Sequence, residues 1–106
     1  MSNSTLTAHG GIVVEHAVQF TLIELCRACH AEPVELLELV DEGVLLPSGD
    51  EPAQWRFDGA LLQRARAAVR LTRDLELTPA GTAVVLDLLD EIAMLRTRLQ
   101  RLTNAR

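Results

Sequence analysis

The sequence predicts a mainly α-helical protein: a winged helix-turn-helix with a small β-ribbon and a long C-terminal dimerisation helix. Three observations carry that expectation. Residues 20–47, FTLIELCRACHAEPVELLELVDEGVLLP, read as two short helices about a tight turn, followed by a strand-like run ending in Pro47. The chain is 48% apolar, yet its aromatics are only Trp55, Phe20 and Phe57. Its core is therefore aliphatic, which suits helices of Leu, Ala and Val better than a sandwich. Finally, Val85, Leu88, Ile92, Leu95, Leu99 and Leu102 recur at alternating steps of three and four, a heptad seam over about three heptads. At 106 residues this is one domain, or one small domain with an extended helical arm. Its expected parts are a mobile segment 1–11, a helix-turn-helix module with its wing over 12–77, and the long helix over 78–106.

Taken in order, 12–20 (IVVEHAVQF) is rich in β-branched residues and suggests an edge strand. Val14, Val18 and Phe20 share one face, although His16 falls on that apolar side. Thr21 then caps the first helix, with Glu24 closing a capping box and Phe20 and Leu25 at the two staple positions. Leu22, Leu25, Cys26 and Cys29 mark its buried side. Pro33 fits the first turn of the second helix and Gly43 its stop, with Leu36, Leu37 and Val40 as the buried stripe. Val44, Leu45 and Leu46 continue as a strand or an extended segment. PSGDEPAQ (47–54) is turn chemistry, and 54–57 is a short strand with Trp55 and Phe57 on one side. These pieces form the wing.

Asp58 caps a third helix reaching about Leu75, with Leu61, Leu62, Ala65, Val69 and Leu75 or Leu77 facing inward. Gln63, Arg66, Arg70 and Arg73 lie outward, with Arg64 beside them. Thr78 and Pro79 open the last helix. The first half of that helix has the module to pack on; beyond about Ile92 little remains in one chain to cover the seam. Exposed, it carries a penalty of roughly 25 cal/mol per Å² of apolar surface, so a homodimer is expected. The alternative is a long helix folded wholly against its own module. Glu91 and Arg96 fall at g and e positions suited to a parallel pair, which leaves orientation open.

Charge separates shape from function. Helix-turn-helix modules normally read DNA with their second helix. Here that helix carries Glu32, Glu35, Glu38, Asp41 and Glu42, five acids in eleven residues with no basic residue among them. The net charge of −5 divides unevenly: residues 1–53 hold nine acids and one Arg (net −8), while 54–106 hold six acids and nine Arg (net +3). All ten basic residues are Arg, which reads first as a coding-composition effect. Phosphate contacts supply most non-specific nucleic-acid affinity, so an acidic leading half fits a basic protein partner better. Against DNA each carboxylate meets like charge; against a Lys/Arg-rich helix the same charges steer and orient. The bland reading of such a run is a solubilising surface.

Catalytic and metal chemistry find little support. Cys26-Arg27-Ala28-Cys29-His30 has the C-x-x-C-H spacing of haem attachment, but that chemistry belongs to exported proteins and no signal peptide is evident. Zinc would need four ligands, with only His9 and His16 left to complete a set. Cys26 therefore reads as a small core residue, and His30 as a residue near a helix C-terminus. No nucleophile–base arrangement, phosphate loop or paired acids emerge, so no enzyme activity, cofactor or small-molecule substrate is expected. Two Cys argue against a disulfide framework, and no run spans a bilayer, so a cytoplasmic protein is expected.

The stretch 20–47 resembles the helix-turn-helix opening of MerR-type regulators. QWRFD (54–58), ARAAVRLTRDLEL (65–77) and PAGTAVVLDLLDEIAMLRTRLQRL (79–102) extend the resemblance to one offshoot, the CbpM-type chaperone modulators, over roughly 18–103. The resemblance implies a non-enzymatic MerR-like module that inhibits a DnaJ-like, curved-DNA-binding co-chaperone. It would occupy the basic J-domain surface otherwise offered to Hsp70. Assigning Glu32, Glu35, Glu38, Asp41 and Glu42 as the contact face is an electrostatic expectation, not part of the resemblance. Two alternatives stand beside it. A dimeric transcription regulator would hold phosphates with Arg56, Arg64, Arg66, Arg70 and Arg73; a bare adaptor would use only the C-terminal seam.

Overall fold

The computed structural model describes residues 18–105, so segment 1–11 and most of the expected strand 12–20 lie outside the described residues. The elements run β1 (Gln19–Phe20), α1 (Leu22–Cys29), α2 (Pro33–Asp41), β2 (Phe57–Asp58), α3 (Gly59–Leu75) and α4 (Pro79–Asn104). A short 3-10 turn, Pro52–Gln54, precedes β2.

Local chemistry fixes most boundaries. Glu24 N–H donates to Thr21 Oγ1 at 3.2 Å and Thr21 N–H donates to Glu24 Oε1 at 2.9 Å, completing a capping box at the start of α1. At its end His30 adopts the left-handed conformation (φ 51°), and its N–H and that of Ala31 reach back to the carbonyls of Arg27 and Cys26. Pro33 opens α2, and Gly43 (φ 77°) closes it as the N–H groups of Gly43 and Val44 return to Val40 and Leu39. Asp58 Oδ1 accepts from Leu61 N–H at the start of α3, and Thr78 Oγ1 from Gly81 N–H at the start of α4.

The ribbon differs from the expected one. Segments 44–46 and 54–57 do not pair as strands. Val44 and Leu45 turn into the core as extended chain, and the wing closes through one bridge, Ser48 to Arg56. Gly49 (φ 106°) makes that turn possible, since a Cβ there would stand 2.6 Å from the Gln54 carbonyl oxygen. The two-stranded sheet joins β1 to β2 instead, antiparallel, with Gln19 opposite Asp58 and Phe20 opposite Phe57. It ties the entry of α1 to the entry of α3.

The core is aliphatic and lies between α1, α2 and α3: Leu25, Cys26, Cys29, Leu36, Leu39, Val44, Leu45, Leu62, Ala65, Ala68 and Val69 surround Phe57. In α2 the buried pair is Leu36 and Leu39. Leu37 and Val40, expected in the stripe, are only half-buried, because the helix turns its 36/39 edge toward α3. Leu75 is exposed and Leu77 half-buried, while Ala68 joins the core. Trp55 leans edge-on against Phe57 with ring centroids 6.2 Å apart. Phe57 is fully buried at the junction of sheet and helices. Phe57→Ala is expected to lower stability by about 3–5 kcal/mol, read as a shift in the urea midpoint. That is a large share of the roughly 5–15 kcal/mol typical of a domain.

Only the first turns of α4 share this core. Thr82 is fully buried; Thr72 Oγ1 donates to the Ala68 carbonyl and lies 2.8 Å from Thr82 Oγ1, so Thr82 donates to Thr72. Leu86 packs below it. From Asp87 to Ala105 every residue of α4 and its cap is exposed.

Candidate protein-interaction surface

The outward side of α2 is where a helix-turn-helix module presents its reading side chains. With Leu36 and Leu39 inward, helical geometry places Val34, Glu38 and Asp41 on the far side, spaced by four and three residues. Val34, Glu38, Asp41 and Glu42 are all exposed. Glu38, Asp41 and Glu42 share the rim of a recess of about 410 Å³ with Thr78, Pro79 and Ala80 at the start of α4. Asp41 and Glu42 sit at the helix C-terminus, where the backbone dipole favours cations, and the last turn carries no basic residue. The placement opposes local stability, and such departures from local rules concentrate at functional sites.

The five expected acids divide. Glu35 points toward α3: its carboxylate accepts from Arg73 Nη2 at 3.2 Å and from Glu32 N–H at 2.8 Å, capping its own helix. Glu32 is the exposed N-cap residue. Glu38, Asp41 and Glu42 make no ion pair among the described residues.

The arginines divide too. Arg64 is a clamp: Nε donates to the Val44 carbonyl at 2.7 Å, and Nη1 lies 3.2 Å from Asp90 Oδ2, linking the end of α2, α3 and α4. Arg73 is another, donating to the His30 carbonyl at 2.6 Å as well as to Glu35. Arg56 donates to the Trp55 carbonyl at 2.7 Å. Of the five arginines suggested for phosphates, Arg66 and Arg70 alone make no hydrogen bond or ion pair among the described residues. Sequence reasoning missed both clamps, whose carbonyl acceptors leave no trace in side-chain pattern.

Cys26 and Cys29 are free and buried in the core, and no cluster of three or more His, Cys, Asp or Glu among the described residues could hold a metal. Burial pushes both thiols up from their ordinary value; Glu32 and Glu35 add to this at Cys26, whereas Arg66 and Arg73 oppose it at Cys29. A folded thiol that titrates above the unfolded one stabilises the fold below the unfolded value and loses that contribution as pH rises. Urea midpoints are expected to hold up to about the ordinary thiol value of 9.0 and to fall beyond it. Cys26→Ala/Cys29→Ala should flatten that alkaline limb. Iodoacetamide should label the native protein slowly at neutral pH, since the thiolate is the nucleophile.

Beyond Val85 the seam of α4 lies on the protein surface. Val85 is half-buried, and Leu88, Ile92, Leu95, Leu99 and Leu102 are 44–70% exposed. No helix among the described residues is long and apolar enough to cross a membrane.

A family model described as MerR HTH family regulatory protein matches residues 20–104, from β1 to the last turn of α4. A chaperone modulatory protein CbpM of Coxiella burnetii (strain Dugway 5J108-111) is 38% identical over 92 residues, which are 87% of each chain. The chain belongs to the CbpM family. A second CbpM, from Pseudomonas putida (strain GB-1), is 36% identical over 93 residues, 81% of this chain and 92% of that one. Another, from Pseudomonas putida (strain W619), is 36% identical over 80 residues, 76% and 79% respectively. In this CbpM-family chain the helix-turn-helix is thus kept as architecture, while its reading helix is negative on the outside.

Proposed function

We propose that this protein is a non-enzymatic modulator that binds the J-domain of a DnaJ-like co-chaperone and blocks the surface used for Hsp70. The relatives named as chaperone modulatory proteins support the class of activity. The observation that carries the partner's chemistry is the exposed acidic rim of Glu38, Asp41 and Glu42 on the outer side of α2, without an ion pair among the described residues. Glu32 flanks it. Glu35 belongs to the scaffold, holding Arg73 and the start of the helix.

A cationic helix fits this rim. Exposed charges attract over a Debye length of about 8 Å at physiological salt, speeding encounter and setting orientation. The recess against the start of α4 gives an incoming basic side chain somewhere to sit, and exposed Val34 offers an apolar neighbour. Duplex DNA finds the opposite charge there. The reading is tested by calorimetric titration against an isolated J-domain, with Hsp70 as competitor and a duplex as control.

The same proposal includes a homodimer. Leu88, Ile92, Leu95, Leu99 and Leu102 form a continuous apolar line on an arm that is exposed from Asp87 to Ala105. A second copy of the same seam covers it with complementary knobs and holes. Such a protein acts in the cytoplasm, beside its co-chaperone.

A further inference from the structure

On the side of α3 facing the α1–α2 turn lies a cleft of about 460 Å³, bordered by His30, Arg66, Arg70, Arg73 and Asp74 over a floor of Ala28, Cys29 and Val69. We infer that this cleft binds an acidic peptide segment of a protein partner, its carboxylates on Arg66 and Arg70 and an apolar side chain on the floor. The inference goes beyond the J-domain reading and does not use the acidic rim of α2.

Arg66 and Arg70 stand one helical turn apart, about 5–6 Å between Cβ atoms, so their guanidinium groups can reach one ligand together. Both are exposed, and neither is engaged among the described residues. Their neighbour Arg73 is already committed to the His30 carbonyl and to Glu35, which anchors the cleft's edge and leaves the other two available. Guanidinium forks suit carboxylates bidentately, and the apolar floor adds what a bare anion would not use.

The choice of a peptide over nucleic acid follows from the surroundings. A duplex carries one charge per about 1.7 Å of axis and cannot confine its phosphates to two arginines. Laid along α3 it would pass Asp74; laid across toward α2 it would pass Glu35 and then Glu38. A peptide alternating acidic and apolar residues can meet Arg66, Arg70 and the floor while its remaining groups stay in water.

The test titrates a fluorescent peptide alternating glutamate and leucine into the full-length protein, followed by anisotropy and by amide chemical shifts. Saturable binding is expected, with shifts confined to 28–30 and 66–74. In Arg66→Gln/Arg70→Gln it should weaken by about tenfold or more with an unchanged circular dichroism spectrum. Equal binding by that variant, or shifts scattered over other surfaces, would overturn the assignment. So would a labelled duplex that binds more tightly than the peptide through the same two arginines.

Discussion

Cysteine at Leu88 in one population and at Leu99 in another is expected to cross-link efficiently when the two are mixed and oxidised, and poorly when either is oxidised alone. Charge along α4 sets the orientation. Asp87, Asp90 and Glu91 occupy its middle, and Arg96, Arg98 and Arg101 its far part. A parallel pair would bring acids to acids and arginines to arginines along the whole arm, even with Glu91 reaching Arg96 of its partner. An antiparallel pair lays the acidic stretch on the basic one. The seam accepts that arrangement without a gap: Val85 meets Leu102, Leu88 meets Leu99, and Ile92 meets Leu95, each pair twice. In that register Glu91 and Arg98, both at g, become neighbours across the interface. The native thiols do not interfere, since Cys26 and Cys29 are buried in each module. Efficient self-cross-linking of Leu99→Cys alone would refute the antiparallel pair.

Ile92→Asp is the companion experiment. Each seam side chain covered on pairing contributes about 1–2 kcal/mol, allowing for the shielding it already has from its own helix. A carboxylate at the central layer would remove one such contribution per chain and bury charge against Leu95. The variant is expected to sediment as a monomer, with a module that still melts cooperatively because Thr82 and Leu86 pack upstream of the change. A dimer persisting at the same concentration would show that something other than the seam holds the copies together. In the antiparallel form the two modules stand at opposite ends of the paired arms, so two α2 faces remain open to two partners.

What could be read from sequence follows the range of the interactions. The boundaries of α1, α2, α3 and α4 were legible because Thr21 with Glu24, Pro33 with Gly43, Asp58, and Thr78 with Pro79 act within four residues of themselves. The pairing of β1 with β2 was not legible. Two-residue strands carry no period, and their partners are separated by the whole helix-turn-helix and wing. The choice of Leu39 over Leu37 or Val40 was hidden for a related reason: the stripe 36/37/40 and the stripe 36/39 are both helical, and packing against α3 decides between them. Arg64 and Arg73 looked like surface charge because their acceptors, the carbonyls of Val44 and His30, belong to turns that only the fold brings near. Glu35 was grouped with the other acids by position, and its contacts with Arg73 and the Glu32 N–H separate it from them.

That separation leaves Glu38, Asp41 and Glu42 as the acids free to meet a partner. Glu38→Lys/Asp41→Lys/Glu42→Lys is expected to weaken J-domain binding by roughly a hundredfold at physiological salt. Exposed ion pairs contribute about 0.2–1 kcal/mol each, and reversal replaces attraction with repulsion. Three reversals then total about 3 kcal/mol, two decades in affinity. Most of the loss should appear in the association rate and shrink as salt rises. The fold should hold, because none of the three is in an ion pair among the described residues and Lys at positions 41 and 42 suits the helix dipole better than the native acids. Glu35→Lys behaves differently: it removes the contact with Arg73 and the acceptor for Glu32 N–H, so its effect should appear first in thermal stability. Affinity left intact by the triple reversal would reject this face as the J-domain site. Affinity lost by Glu35→Lys alone would count only if its melting temperature were unchanged. Hsp70 displacing the wild-type protein from the J-domain, but bound equally well when the triple variant is present, would tie the loss to competition for one surface.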